Sequence, residues 1–396
     1  MKKKIILSSS IGLLILIATL FYQRSFFSFS AEDGFFKQFS FWKYHIIGAD
    51  PKVKANFLFI NTGKDLALVE DTTEYGNVAI SDREKILQLL KIINEHKKIV
   101  RYVVLDIQFY YPYSINQSID TLLQQEINKN DQLIIPIIKA DSGRYKQPLY
   151  KTQYGFSGYT TYGFGFNKFK IWDHDSIHSI PVLLHEKLNK AHYKSGTLKT
   201  TCNGHLCFTA IWPSFYLTDK QVKENTSPLT QSYNLGELMI LLEANPADYE
   251  KVLKDRIVII GNFADDNHYT PVGAMSGPVL LANIYLSLLN NEHMVSYFFL
   301  FILWISFSLL TYMAWYDKMP EFKFKFKFIF SPDLVKFISG YLSYFGSMFF
   351  LSLTALIFFN MHVALFLPSF IFAGIEYIRQ KKYLPKPEGY EKLKNK

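Results

Sequence analysis

The chain has 396 residues, 49% hydrophobic and 17% aromatic, with 43 Lys and Arg against 34 Asp and Glu and a net charge of +9. The placement of the apolar and basic residues excludes a cytoplasmic enzyme and gives no support to nucleic-acid binding. Four apolar stretches, 5–22, 295–316, 337–359 and 363–378, leave a polar region of well over two hundred residues between the first and second.

The first stretch follows Met1-Lys2-Lys3-Lys4, as in a signal peptide, and Ser28-Phe29-Ser30 is a passable cleavage motif. The run is long and Arg24 separates it from that motif, so it reads as an uncleaved anchor within 1–30. A hydrocarbon core of about 30 Å needs about 20 apolar helical residues. Stretches 295–316 and 337–359 meet that requirement without an internal charge. Stretch 363–378 is shorter and carries Pro368 and Glu376. It is read as spanning because only Asn360, Met361 and His362 separate it from its predecessor; a re-entrant turn is the alternative.

Lys2, Lys3 and Lys4, the loop 317–336 and the tail 379–396 together hold 15 Lys/Arg and 5 Asp/Glu. With four crossings, all three lie on the cytoplasmic side by the positive-inside rule, and the large domain, 31–294, lies outside. The remaining residues carry 28 Lys/Arg against 29 Asp/Glu. The net charge therefore reflects membrane topology.

Within the outer domain, 31–54 is an aromatic-rich connector and 55–61 is an apolar run that suits a buried strand. Ser81 with Glu84 reads as a capping box that opens a helix through Ile86, Leu89, Leu90 and Ile93. A strand over 100–109, a helix over 119–128 and a strand over 133–138 follow, the pattern of a parallel sheet with crossover helices.

Stretch 154–166 interleaves glycines and aromatics, and with 172–181 it suggests short antiparallel strands and turns. Its rings either stack on a sugar or ring-shaped ligand or form the two faces of a sheet. A helix over 182–191 precedes a hairpin region, 193–213, in which Cys202 and Cys207 flank an Asn203-Gly204 turn signal. In an oxidising compartment this pair is a disulfide candidate; a metal-binding thiol pair is the competing reading, to which His205 adds little. A strand over 257–261 ends on Gly261, 262–275 is a loop, and Gly277-Pro278 opens a helix. The predicted class is α/β: a parallel-type sheet with crossover helices and an antiparallel insertion, plus four transmembrane helices, one N-terminal and three C-terminal.

Three groups of residues resemble the CHASE2 domain, an extracytoplasmic sensor module of bacterial membrane receptors. The first runs from Arg256-Ile257-Val258-Ile259-Ile260-Gly261 through Asp265, Asp266 and Thr270-Pro271 to Gly277-Pro278-Val279 and Ala282-Asn283. The second is Val103-Val104-Leu105-Asp106-Ile107-Gln108-Phe109. The third, Asp173-His174-Asp175-Ser176-Ile177-His178-Ser179-Ile180-Pro181, is similar to the family's Asp-x-Asp-Gly turn. The resemblance covers about 35–295 and implies one membrane helix before the domain and three after it. Ser176 stands where the family has glycine, His178 where it has Arg, and Leu280 and Leu281 where it has Glu and His. Family members continue into an output domain, whereas this chain stops at Lys396, so a separate partner is expected to read the signal.

Ligands of parallel α/β sheets sit beyond the carboxyl ends of the strands. That rule brings Asn61-Thr62, Asp106 and Asn262 with Asp265-Asp266 to one end of the sheet, where Thr270 and Asn283 could join them; Asn61, Asp106, Asp265, Asp266, Thr270 and Asn283 are nominated for a cation or polar small molecule, and hydrogen bonding within loops is the competing role. Asp173, His174, Asp175 and His178 have metal-donor types, but Asp side chains also cap turns, and no metal or cofactor is assigned. Residues 322–330 alternate Phe and Lys, which suits a membrane surface with lysines facing anionic head groups; pairing as a strand with another protein is the alternative. No Gly-x-Ser-x-Gly elbow, phosphate loop or paired-His zinc motif is present, and His185-Glu186 lacks the second histidine such a motif needs. The expectation is a non-enzymatic sensor subunit of the bacterial inner membrane, multi-pass, with cytoplasmic termini and a periplasmic or extracellular domain. Its partners would be membrane lipids, a small-molecule or ion ligand and a separate signalling or envelope-complex protein. The alternative is a structural or assembly subunit of an inner-membrane complex whose outer domain docks protein.

Overall fold

The computed structural model describes residues 2–24, 32, 34–35, 38–39, 43, 51–70, 76–137, 145, 148–150, 152–157, 168–171, 177–196, 200–270, 272–316, 332–359 and 361–383. Two units divide the chain, Asp33–Met294 and a second made of Met1–Glu32 with Val295–Lys396.

Near-continuous apolar strands build the centre of the first unit, because a parallel strand covered by helices is buried on both faces. Six parallel strands lie in the order Thr230–Asn234, Phe57–Asn61, Ile257–Gly261, Tyr102–Asp106, Leu133–Ile137 and Gln153–Phe156. Side chains alternate between faces. Phe57, Phe59, Tyr102, Val104, Ile257 and Ile259 enter one core with the helices Ile180–Asn189 and Gly277–Leu289. Leu58, Ile60, Val103, Leu105, Val258 and Ile260 enter the other with the helices Arg83–Glu95, Gln117–Asn128 and Leu235–Ala244. The α/β class and the parallel sheet match the sequence reading. The antiparallel elements of the insertion are small, a three-stranded sheet over Tyr193–Ser195, Thr200–Cys202 and His205–Cys207 and the pair Phe169–Lys170 with Ala210–Ile211, and Leu66–Glu70 pairs antiparallel with Asn77–Ser81 nearer the start of the unit.

Several expectations are corrected. The helix Arg83–Glu95 is capped by Asp82, whose carboxylate accepts from the Glu84 and Lys85 N–H groups. Ser81 ends the strand Asn77–Ser81, and its hydroxyl lies 3.0 Å from that of Thr62; both residues are good caps, and tertiary bonding chose between them. Strand Gln153–Phe156 joins the main sheet in parallel, so the start of the aromatic-glycine stretch is not antiparallel. Residues 158–167, 172–176 and 322–330 lie outside the described residues, and with them most of that stretch, Asp173, His174, Asp175 and the Phe-Lys alternation. The loop over 262–275 contains the hairpin Asn267–Thr270 with Gly273–Ser276. The edge strand Thr230–Asn234 and the helix Leu235–Ala244 were not anticipated, since Thr230-Gln231-Ser232-Tyr233-Asn234 is too polar for the buried-strand pattern.

Among the described residues of the second unit, three helical segments are long and apolar enough to cross a membrane: Lys2–Tyr22, Tyr297–Tyr316 and Phe337–Phe359. The first two pack closely, because Gly12 lets its backbone approach Ser308; a Cβ there would lie 2.7 Å from the Ser308 Cα. The Trp304 indole donates to the Ser9 carbonyl at 3.2 Å. The fourth apolar stretch is helical only from Phe366, in Phe366–Tyr383, and is not among those three. Its start is set by Glu32, whose carboxylate accepts from the Leu365 and Phe366 N–H groups at 2.9 and 3.1 Å. Pro368 then falls in the first turn, where its missing N–H is no loss.

Candidate functional site

Strand register creates the site. Asn234, Asn61, Gly261 and Asp106 are successive cross-strand partners, so they form one row at the carboxyl edge of the sheet. Gly261 has no Cβ because one would lie 2.7 Å from Pro278 Cγ at the start of the helix Gly277–Leu289. This close approach draws that helix over the edge beside Asp106.

A cavity of 580 Å³ opens there, lined among others by Asp106, Gln108, Asn262, Asp265, Asp266 and His268. Burial, and then the negative charge of Asp266, push the Asp106 carboxyl up to about 7, with His268 acting in the opposite direction. Asn262 folds the acidic loop: its side-chain oxygen accepts from the Ala264 and Asp265 N–H groups, and its amide donates to Asp265 at 2.9 Å. Asp266 and His268 pair at 3.0 Å. The far wall includes Tyr111, whose carbonyl accepts from the buried Arg83 guanidinium. Arg83 also bonds Asp120 and the Tyr150 hydroxyl and lies against the Phe109 and Tyr113 rings.

Of the six nominated residues, the structure brings Asp106, Asp265 and Asp266 to the cavity. The other three line no part of it. Asn61 accepts from the Gly63 and Phe263 N–H groups and donates to Asn234. Thr270 closes its hairpin by donating to the Gly273 carbonyl at 2.7 Å and accepting from the Val272 N–H. Asn283, fully buried, bonds both the N–H and the carbonyl of Leu217. Asn262, named with Asp265 and Asp266 by the sequence reading, also lines the cavity, as do Gln108 and His268, which that reading did not name. The density of polar side chains from Asn262 to His268 was the available signal.

The disulfide candidates Cys202 and Cys207 are both buried and are not joined in this structure. Register sets Cys202 opposite His205 and Cys207 opposite Thr200, so the two sulfurs are offset along the ladder. Asn203 and Gly204 both have positive φ, 50° and 82°, and turn the hairpin without a covalent closure. His178 Nδ1 pairs with Glu186 at 2.9 Å.

Comparison with curated proteins gives no match, and comparison with solved structures gives none. The family model for the CHASE2 domain matches residues 13–314, which includes the whole six-stranded sheet and the cavity at its edge. CHASE2 is an extracytoplasmic sensor domain family, and this chain belongs to it.

Proposed function

We propose that the chain is a non-enzymatic sensor subunit whose outer domain binds a small polar molecule with a cationic or hydrogen-bond-donating group. One observation carries the reading: the 580 Å³ cavity at the carboxyl edge of the sheet, with Asp106 in its wall. Its size suits a small-molecule ligand. The acceptors Asp106, Asp265 and Asp266 outnumber the one cation-forming side chain, His268, so a donor-rich ligand fits best.

The signal passes through the membrane helices to a separate partner protein. The helices that precede and follow the sensor unit in sequence are packed against each other at Gly12 and Ser308. A ligand that changes the separation of the unit's two ends therefore acts on a close-packed pair, provided it binds two states unequally. The proposed topology has four crossings, cytoplasmic termini and an outer sensor domain in a bacterial inner membrane, with its basic loop and tail against anionic lipid.

The test is thermal unfolding of the full chain in detergent against polyamines, basic amino acids and polyols. At 100 Kd a ligand adds about 2.7 kcal/mol, which raises the melting temperature by several degrees, and Asp106→Ala removes the effect. No stabilisation by any compound, or the same stabilisation in Asp106→Ala, would sink the reading.

A further inference from the structure

A second cluster lies away from the Asp106 cavity, in the antiparallel insertion. His185 comes from the inner face of the helix Ile180–Asn189, Cys202 from the end of the strand Thr200–Cys202, and His293 from the turn after the helix Gly277–Leu289. All three are buried, and one donor atom from each lies within 4.8 Å of the others. The Tyr193 hydroxyl stands among them, 2.7 Å from His185 Nδ1, 3.1 Å from His293 Nε2 and hydrogen-bonded to Cys202.

We propose that His185, Cys202 and His293 bind one zinc-class metal ion, with the Tyr193 hydroxyl oxygen as fourth donor. Two imidazoles and a thiolate are the donor set of borderline transition metals, and four donors complete a closed tetrahedral site. With metal–nitrogen bonds of about 2.0 Å and metal–sulfur bonds of about 2.3 Å, neighbouring donors of a tetrahedral site sit about 3.3–3.5 Å apart. The cluster, with its donors within 4.8 Å of one another, closes around the ion as Tyr193 yields the centre.

As a set of hydrogen bonds the cluster leaves one buried nitrogen unmatched. The Tyr193 hydroxyl can donate to only one of its three neighbours and must accept from the others, and His293 Nδ1 has no hydrogen-bond partner although the residue is fully buried. With the ring proton on that nitrogen, Nε2 turns its lone pair to the cluster. Burial holds His185 down at about 4 and His293 at about 3, so both are neutral, ligating imidazoles at physiological pH. Burial raises the Cys202 thiol, and a bound cation would reverse that shift. Glu186, bonded to His178, supplies a nearby negative charge. Occupancy would tie three separate segments together just before the chain enters the helix Tyr297–Tyr316.

The experiment uses the full chain in detergent, purified with a tag lacking histidine. Metal analysis should find about one zinc per chain, and cobalt added after chelation should give a thiolate-to-cobalt charge-transfer band. Cys202→Ser should lose the band and Cys207→Ser should keep it. His293→Gln should weaken zinc binding more than about 100-fold, beyond the loss typical of an outer-shell change. The wild-type measurements stand even where a variant fails to fold. Wild-type protein that binds neither zinc nor cobalt, a band that survives Cys202→Ser, or a Cys202–Cys207 disulfide in unreduced, denatured protein would overturn the site.

Discussion

The Asp106 cavity and the His185–Cys202–His293 cluster lie in the same unit and are shaped by the same force, burial of ionisable groups, with opposite results. At the sheet edge, burial and a neighbouring carboxylate favour the protonated form of an acid. In the insertion, burial favours the unprotonated form of two bases. The first region opens to solvent and presents oxygen acceptors; the second is sealed and presents nitrogen and sulfur. Low dielectric alone therefore does not define a site's chemistry. The donor types and the access route do.

The contrast can be broken at its scaffold. Arg83 holds the cavity wall through Asp120, Tyr150 and the Tyr111 carbonyl. Arg83→Ala leaves those partners uncompensated and should cost about 3–5 kcal/mol, read as a lower denaturant midpoint. A loss below about 1 kcal/mol would mean that the wall stands without it.

Acid should then strike the insertion. The two histidines have folded values below the unfolded value of about 6.5, so between those values the unfolded chain binds more protons than the native one. Their contribution is complete above about pH 6.5 and is lost as pH falls towards 4 and 3, by about 2 kcal/mol per histidine at pH 5. His293→Gln should halve this acid slope in urea titrations of protein stripped of metal by a chelator; an unchanged slope would show that the imidazole is not buried neutral.

At the sheet edge the sign reverses. The native Asp106 carboxyl holds its proton up to about 7, while the unfolded one loses it near 4. Stability contributed by this residue therefore falls as pH rises from about 4 to 7 and stays low above that. Asp106→Asn should match wild type at pH 4 and exceed it at pH 8 by about 2 kcal/mol, after discounting three pKa units for partial solvent access. Wild-type and variant unfolding curves that differ equally at both pH values would refute the raised carboxyl.

Much of the fold was legible because its signals are local. Stretches 55–61, 133–138 and 257–261 are apolar runs of strand length, and Gly277-Pro278 marks a helix start whatever surrounds it. The edge strand Thr230–Asn234 was not legible: one neighbour, Phe57–Asn61, makes it a strand, and its own residues do not announce it. Asp82 and Ser81 are equally good caps in sequence, and only the Thr62 contact separates them. The rule for carboxyl ends of strands points to Asp106, Asp265 and Asp266, which line the cavity. Asn61, Thr270 and Asn283 obey the same rule but turn their amides and hydroxyl onto backbone partners, which depends on side-chain direction.

The sequence by itself determined three helical segments apolar enough to cross a membrane, the buried parallel strands and the family, since length and period act over short windows. Tertiary structure alone decided which polar residues face the cavity and that His185, Tyr193, Cys202 and His293, spread over more than a hundred residues, meet at one point. Such meetings arise from strand register and helix packing, and no local pattern records them.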